Sequence, residues 1–171
     1  MSQVISREID IAEGLFAEFQ IVLEFWNILH REGASFPVWS DFDFLDLPVK
    51  IIPHLIIVDI LQNPYDLQYR FWGTWHNNFQ SEDYTGKKVS EFQPIDYQNM
   101  IMNHYREVAE LAKPALYSIQ IPLKSGLIVN SQMLRLPMSD DGVSVNKIIS
   151  VEMARNEFND AHEYFGEDGS D

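Results

Sequence analysis

Residues 70–79 read RFWGTWHNNF, a run that crowds aromatic and polar side chains around Gly73. Trp72, Trp75 and Phe79 offer ring faces, while His76, Asn77 and Asn78 offer hydrogen-bonding groups. Three chemistries fit such a stretch. The rings could stack on nucleic-acid bases, the imidazole could do acid–base work, or the stretch could wall a pocket where a few polar groups orient a ligand. Packing of the same rings into an ordinary core needs no ligand at all. Charge removes the first option: the chain carries 12 Lys+Arg against 26 Asp+Glu, a net charge of −14, with no basic cluster. Such a surface repels phosphate backbones and anionic lipid, so neither nucleic acid nor membrane is expected as a partner. Acid–base work would pair His76 with Asp83, but no substrate-positioning motif accompanies them.

The other reactive residues give weaker patterns. Among His30, His54, His76, His104 and His162, no pair has the i, i+4 spacing of a helical zinc site, and no GxSxG elbow exists for a serine nucleophile. His104 sits in a segment with helical character, where its imidazole could face inward and ligate a haem iron. The run DFDFLD groups Asp41, Asp43 and Asp46, but a calcium loop would need glycine and glutamate where Asp46 and Ile52 stand. Capping and a solvated face explain these acids. TGKK lacks the first glycine of a phosphate loop, since position 81 is Ser81. The chain has no cysteine, which removes disulfides, thiol catalysis and cysteine-held zinc or iron–sulfur sites. No catalytic residue and no metal site are expected.

These residues must be positioned by recognisable elements. From Ile9 to Arg31 the pattern predicts a helix, with Leu15, Phe19, Val22, Trp26 and Leu29 on one stripe. Phe16, Leu23, Phe25 and Ile28 widen that stripe, so the helix either covers its own domain or also pairs with a second copy. Pro37, Pro48 and Pro53 divide the next segment into short turns, which Ser40 or Asp41 can cap. IIVDIL and LQYRFW read as a hairpin across NPYD, with Leu67, Tyr69 and Phe71 on one face and Gln68, Arg70 and Trp72 on the other. Gly73 ends the second strand, and Thr74 can cap a short helix. Pro94 opens a longer helix to about Leu111, followed by three strands. The first of them places Tyr117, Ile119, Ile121 and Leu123 on one face. The order predicts an α+β fold with five antiparallel strands. The N-terminus lacks a signal-peptide pattern, and no run of about 18 apolar residues occurs, so a cytoplasmic protein is expected.

The stretches FWNILHREGASFPVWSDFDFLDLPVKIIPHLIIVDIL and DLQYRFWGTWHNNFQSEDYTGKKVSEF resemble a PAS-domain subfamily abundant in alphaproteobacteria. The landmarks are Trp26, Pro37, Trp39, Asp41, Leu47-Pro48, Pro53, Asp59, Tyr69-Arg70, Gly73-Thr74, Asp83 and Thr85-Gly86-Lys87, within residues 22–153. Phe44 departs from the pattern where proline is common. The resemblance implies a PAS fold: a five-stranded antiparallel sheet in the order 2-1-5-4-3, helices on one face, and a small cavity between them. It further implies sensing rather than turnover, and a homodimer paired through the N-terminal helix. Flavin chemistry of the cysteine-adduct kind is excluded, since the chain has no cysteine. Haem-binding PAS domains use a histidine on the long helix; His104 occupies that neighbourhood, but the residues around it do not match.

The expected organisation is an N-terminal helical flank at 1–33, a PAS domain at 34–154 and an acidic tail at 155–171. The expected function is a bacterial signalling module that binds a small ligand or a protein partner, without an output domain of its own. Trp72, Trp75, His76 and Phe79, with Tyr97, Met102 and Tyr105 on the longer helix, are the candidate ligand contacts. Arg70 is assigned to the scaffold, paired with Asp83 or Asp59. The alternatives are a small enzyme using His76 and Asp83, and a structural adaptor with no ligand.

Overall fold

The β-branched run Leu55–Leu61 forms strand β2, and Asp66–Trp72 returns beside it as β3. This computed structural model describes residues 3–77, 82–123 and 125–155. The other strands are β1 (Ile5–Ile9), β4 (Ala115–Pro122), β5 (Ile128–Met138) and β6 (Lys147–Ala154). All pair antiparallel in one sheet ordered β1-β4-β5-β6-β2-β3. Without β1, this is the 2-1-5-4-3 order that the resemblance implied, read from the other edge. Among the described residues the sheet therefore has six strands, not five.

The sixth strand comes from residues expected to lie in or before the first helix. Ile5 pairs with Gln120 and Ile9 with Leu116, so this segment finds its backbone partners along β4. Asp10 then caps a short turn at Ile11–Glu13, accepting from the Ala12 N–H at 2.8 Å while Glu13 reaches back to the Asp10 N–H. Gly14 leaves that turn extended, and helix α1 runs only over Ala17–Ile28, not from Ile9 to Arg31.

Among the described residues, the expected N-terminal flanking helix and the longer helix lie on opposite faces of the sheet. Helix α1 buries Phe19, Val22 and Trp26 against Ile57, Leu134, Leu136 and Val151. The Trp26 indole N–H donates to the Pro137 carbonyl at 2.8 Å, so a buried polar atom also fixes the docking. Helix α2 (Ile95–Leu111) buries Tyr97, Ile101, Tyr105 and Val108 on the other face, against Tyr69, Ile119, Met133 and Ile148. Tyr117, Ile119, Ile121 and Leu123 share that face, as their alternation predicts.

The alternation breaks in β3. Ile57 pairs with Phe71 but Val58 pairs with Tyr69, so Arg70 is an extra residue in a bulge. Trp72 consequently joins Leu67 and Tyr69 on the α2 face, while Phe71 turns to the other face, 5.0 Å from the Phe44 ring. Arg70 pairs with Asp59 at 2.7 Å, the second of its two expected partners. Asp83 instead accepts from the Thr85 N–H at 2.7 Å.

Capping also differs in detail. Gly73, not Thr74, caps the turn Thr74–His76, and no side-chain bond is made there. Glycine is required at this corner because a Cβ would lie 2.1 Å from the Pro53 carbonyl oxygen. Among the aspartates of DFDFLD, Asp43 is the one that caps, through the Leu45 N–H, and Asp41 pairs with Arg31.

Candidate functional site

Three parts of the fold converge beneath α2. The Arg70 bulge turns Trp72 inward beside Tyr69, with ring centroids 4.9 Å apart. The corner at Gly73 brings His76 back beneath Trp72, at 5.1 Å. Tyr97, Ile101 and Tyr105 descend from α2 at four-residue spacing, one helical stripe. From below, the sheet presents Met133, Arg135 and Glu152. With Ile56 and Phe92 they enclose a cavity of about 10 Å³, room for roughly one water.

The polar groups of this cavity come from the middle of the sheet. Arg135 is 0% exposed. Its Nη1–H donates to Ser150 Oγ at 2.8 Å, and its guanidinium carbon lies 3.9 Å from the centroid of the Tyr105 ring. Nε and Nη2 are buried without any hydrogen-bond partner. A buried charged edge left unpaired is costly, and few native donors are left so.

Glu152 lies on the next strand. Its Oε1 accepts from the Ser131 hydroxyl at 2.8 Å. Burial pushes its carboxyl up to about 7, although Ser131 and the Arg135 charge pull the other way. The His76 Nε2–H donates to the His54 carbonyl at 3.1 Å, leaving Nδ1 as an acceptor 3.5 Å from Glu152 Oε2. Burial holds His76 down to about 3, so the imidazole is neutral at ordinary pH. The contact is therefore between a neutral ring and a carboxyl that keeps its proton close to neutrality, not an ion pair. The positive charge of the wall rests on Arg135.

Of the candidate contacts, Trp72, His76, Tyr97 and Tyr105 line this cavity. Trp75 stands outside it, against the His54 ring at 4.7 Å. Met102 packs half-buried against the core without reaching the cavity. Phe79, Asn78 and His162 lie outside the described residues. The acid–base alternative finds no support in the geometry, because His76 faces Glu152 and a carbonyl while Asp83 serves its own loop.

His104 looks into a different place, an open groove of about 450 Å³ between α2 and β1. Its ring stacks flat on Tyr117, centroids 3.7 Å apart, and Nε2 lies 2.6 Å from Ser6 Oγ. Burial holds it down to about 2, and the Arg135 charge acts in the same direction. A haem iron needs an imidazole nitrogen facing open space. Nε2 is occupied by Ser6 and Nδ1 is buried, so these residues do not fit haem. Among the described residues no three His, Asp or Glu side chains group as a metal site.

Arg135 and Glu152 are the polar residues that sequence reasoning missed. In LIVNSQMLRLPM, Arg135 is in phase with Val129 and Met133, but Leu134 and Leu136 make the opposite face equally apolar. With both faces buried, alternation does not mark which polar residue points into a cavity.

No family model matches the sequence, and no curated protein matches it. A solved light-oxygen-voltage domain, studied with a flavin analogue to examine that domain's mechanism, is similar to this chain at 14% identity, a TM-score of 0.44, and coverage of 60% of this chain and 77% of that one.

Proposed function

We propose that the chain is a PAS-type sensory module of a bacterial cytoplasm. It takes a small ligand into the cavity between the sheet and α2, then passes the change to a second copy through α1 and to a protein partner. The observation that carries this reading is the enclosed cavity lined by aromatic rings and by Arg135, whose buried edge has no partner. A scaffold under selection only for packing gains nothing from an unpaired buried guanidinium. A sensor gains a fixed polar handle at the floor of an apolar pocket. For pairing, α1 keeps Phe19, Val22 and Trp26 for its own sheet and leaves Ile28 79% exposed for a second copy.

Non-denaturing mass spectrometry of the purified chain tests both parts in one measurement. The expected outcome is a dimer that carries one small molecule per chain or acquires one from a panel of carboxylates, amides and small apolar compounds. A chain that binds no member of any class overturns the sensory reading, and a monomer at micromolar concentration overturns pairing through α1.

A further inference from the structure

Resting on that reading, we infer that the cavity beneath α2 binds a small carboxylate, gripped by the Nε–H and Nη2–H of Arg135. These two nitrogens share one edge of the planar guanidinium, and their N–H bonds run nearly parallel at the spacing of two carboxylate oxygens. Both are buried and unpartnered, and the side chain lines the cavity. The rest of the group is already held: Nη1–H is bonded to Ser150, and the guanidinium lies over Tyr105. The free edge is thus presented with little freedom left to lose on binding.

Charge points to the same class. Glu152 retains its proton to about 7 and directs its oxygens toward Ser131 and His76. His76 is neutral, and burial raises the Tyr69 hydroxyl well above its usual value, so it supplies no anion either. Below about pH 7 the wall holds a cation that no ionised group lining the cavity balances. A carboxylate supplies the missing charge and both acceptors together. Ile101, Met133 and Trp72 leave an apolar wall for a methyl group, and because the space of about 10 Å³ holds roughly one water, acetate enters only as α2 lifts from the sheet. Acetate is the matching probe.

Thermal melting and the side-chain ¹H–¹⁵N resonance of Arg135 test this on the whole chain, with sodium acetate and acetamide compared at constant ionic strength in sodium chloride. Acetate is expected to raise the melting temperature saturably and shift the Arg135 Nε–H. Acetamide, with nearly the same shape and no charge, is expected to bind at least about tenfold more weakly. Arg135→Lys keeps the charge but loses the fork, and should weaken acetate by a similar factor. Should that variant fail to fold, the comparison on the unaltered chain still decides. Equal responses to acetate and acetamide, no response to acetate, or melting that rises while the Arg135 Nε–H stays unmoved would each overturn the inference. A neutral compound that binds where acetate does not removes the carboxylate but leaves the sensory reading standing. Failure of every class removes both.

Discussion

Glu152 and the histidines give individual residues opposite pulls on stability. Glu152 holds its proton to about 7 in the fold, against an ordinary value of 4.5. Between those values the folded chain carries the extra proton, so this group's contribution is full below about 4.5 and is lost as pH rises through about 7. His76 is held from 6.5 down to about 3 and His104 to about 2. For them the unfolded chain takes the proton first, so stability falls as pH drops below about 6.5. In urea titrations across pH, Glu152→Gln should lose the decline that Glu152 adds between about pH 4.5 and 7 and keep the acid-side loss from the histidines. If the difference in stability between the unaltered chain and Glu152→Gln stays constant from about pH 4.5 to 8, Glu152 is already ionised in the fold. Both polar residues at the centre of the site were hidden in the sequence for the same reason: apolar neighbours on either side erase the alternation that would have exposed them. Trp72 and His76 were legible because their types are unusual in one short run.

At the scale of elements, the corner between β3 and the following turn decides whether the site exists. The bulge at Arg70 puts Trp72 under α2, and Gly73 lets the chain pass against the Pro53 carbonyl. Gly73→Ala would set a Cβ 2.1 Å from that oxygen, a backbone atom that has no rotamer to yield. Chemical denaturation should show a loss of about 3 kcal/mol or more, at the upper end for overpacking. A loss under about 1 kcal/mol would show that the corner relaxes easily. The strands and α2 were legible from period and punctuation, for example Pro94 before α2 and the acidic turn before β6. The bulge was not, because it is set by pairing between strands, and pairing leaves no trace in the spacing of Tyr69 and Trp72. Nor was β1: five residues beside a helical pattern look like its first turn until β4 offers them an edge.

For the whole molecule, the sheet has two ends of different character. At the β3 edge, the loop after it closes in, with the Gly86 N–H donating to the Tyr69 carbonyl at 2.7 Å and the Tyr69 N–H to the Lys87 carbonyl at 2.9 Å. At the other end, β1 places Arg7 and Glu8 along its length, charges that discourage further strands from adding. The contact between Ser6 and His104 gives this second end a mechanical meaning. It straps the first strand of the chain to the middle of the helix that roofs the cavity. Because the same strand leads through the Asp10 turn into α1, one continuous stretch of chain runs from the roof around the sheet edge to the opposite face. A ligand that lifts α2 therefore pulls on a tether whose far end is the helix proposed to meet a second copy. Hydrogen exchange should register this: ligand addition is expected to change protection in β1 as well as in α2, and Ser6→Ala should confine the change to α2. If β1 responds equally in the variant, the tether does not carry the movement. With the strap intact, the cavity and the face of α1 proposed for pairing are two ends of one lever.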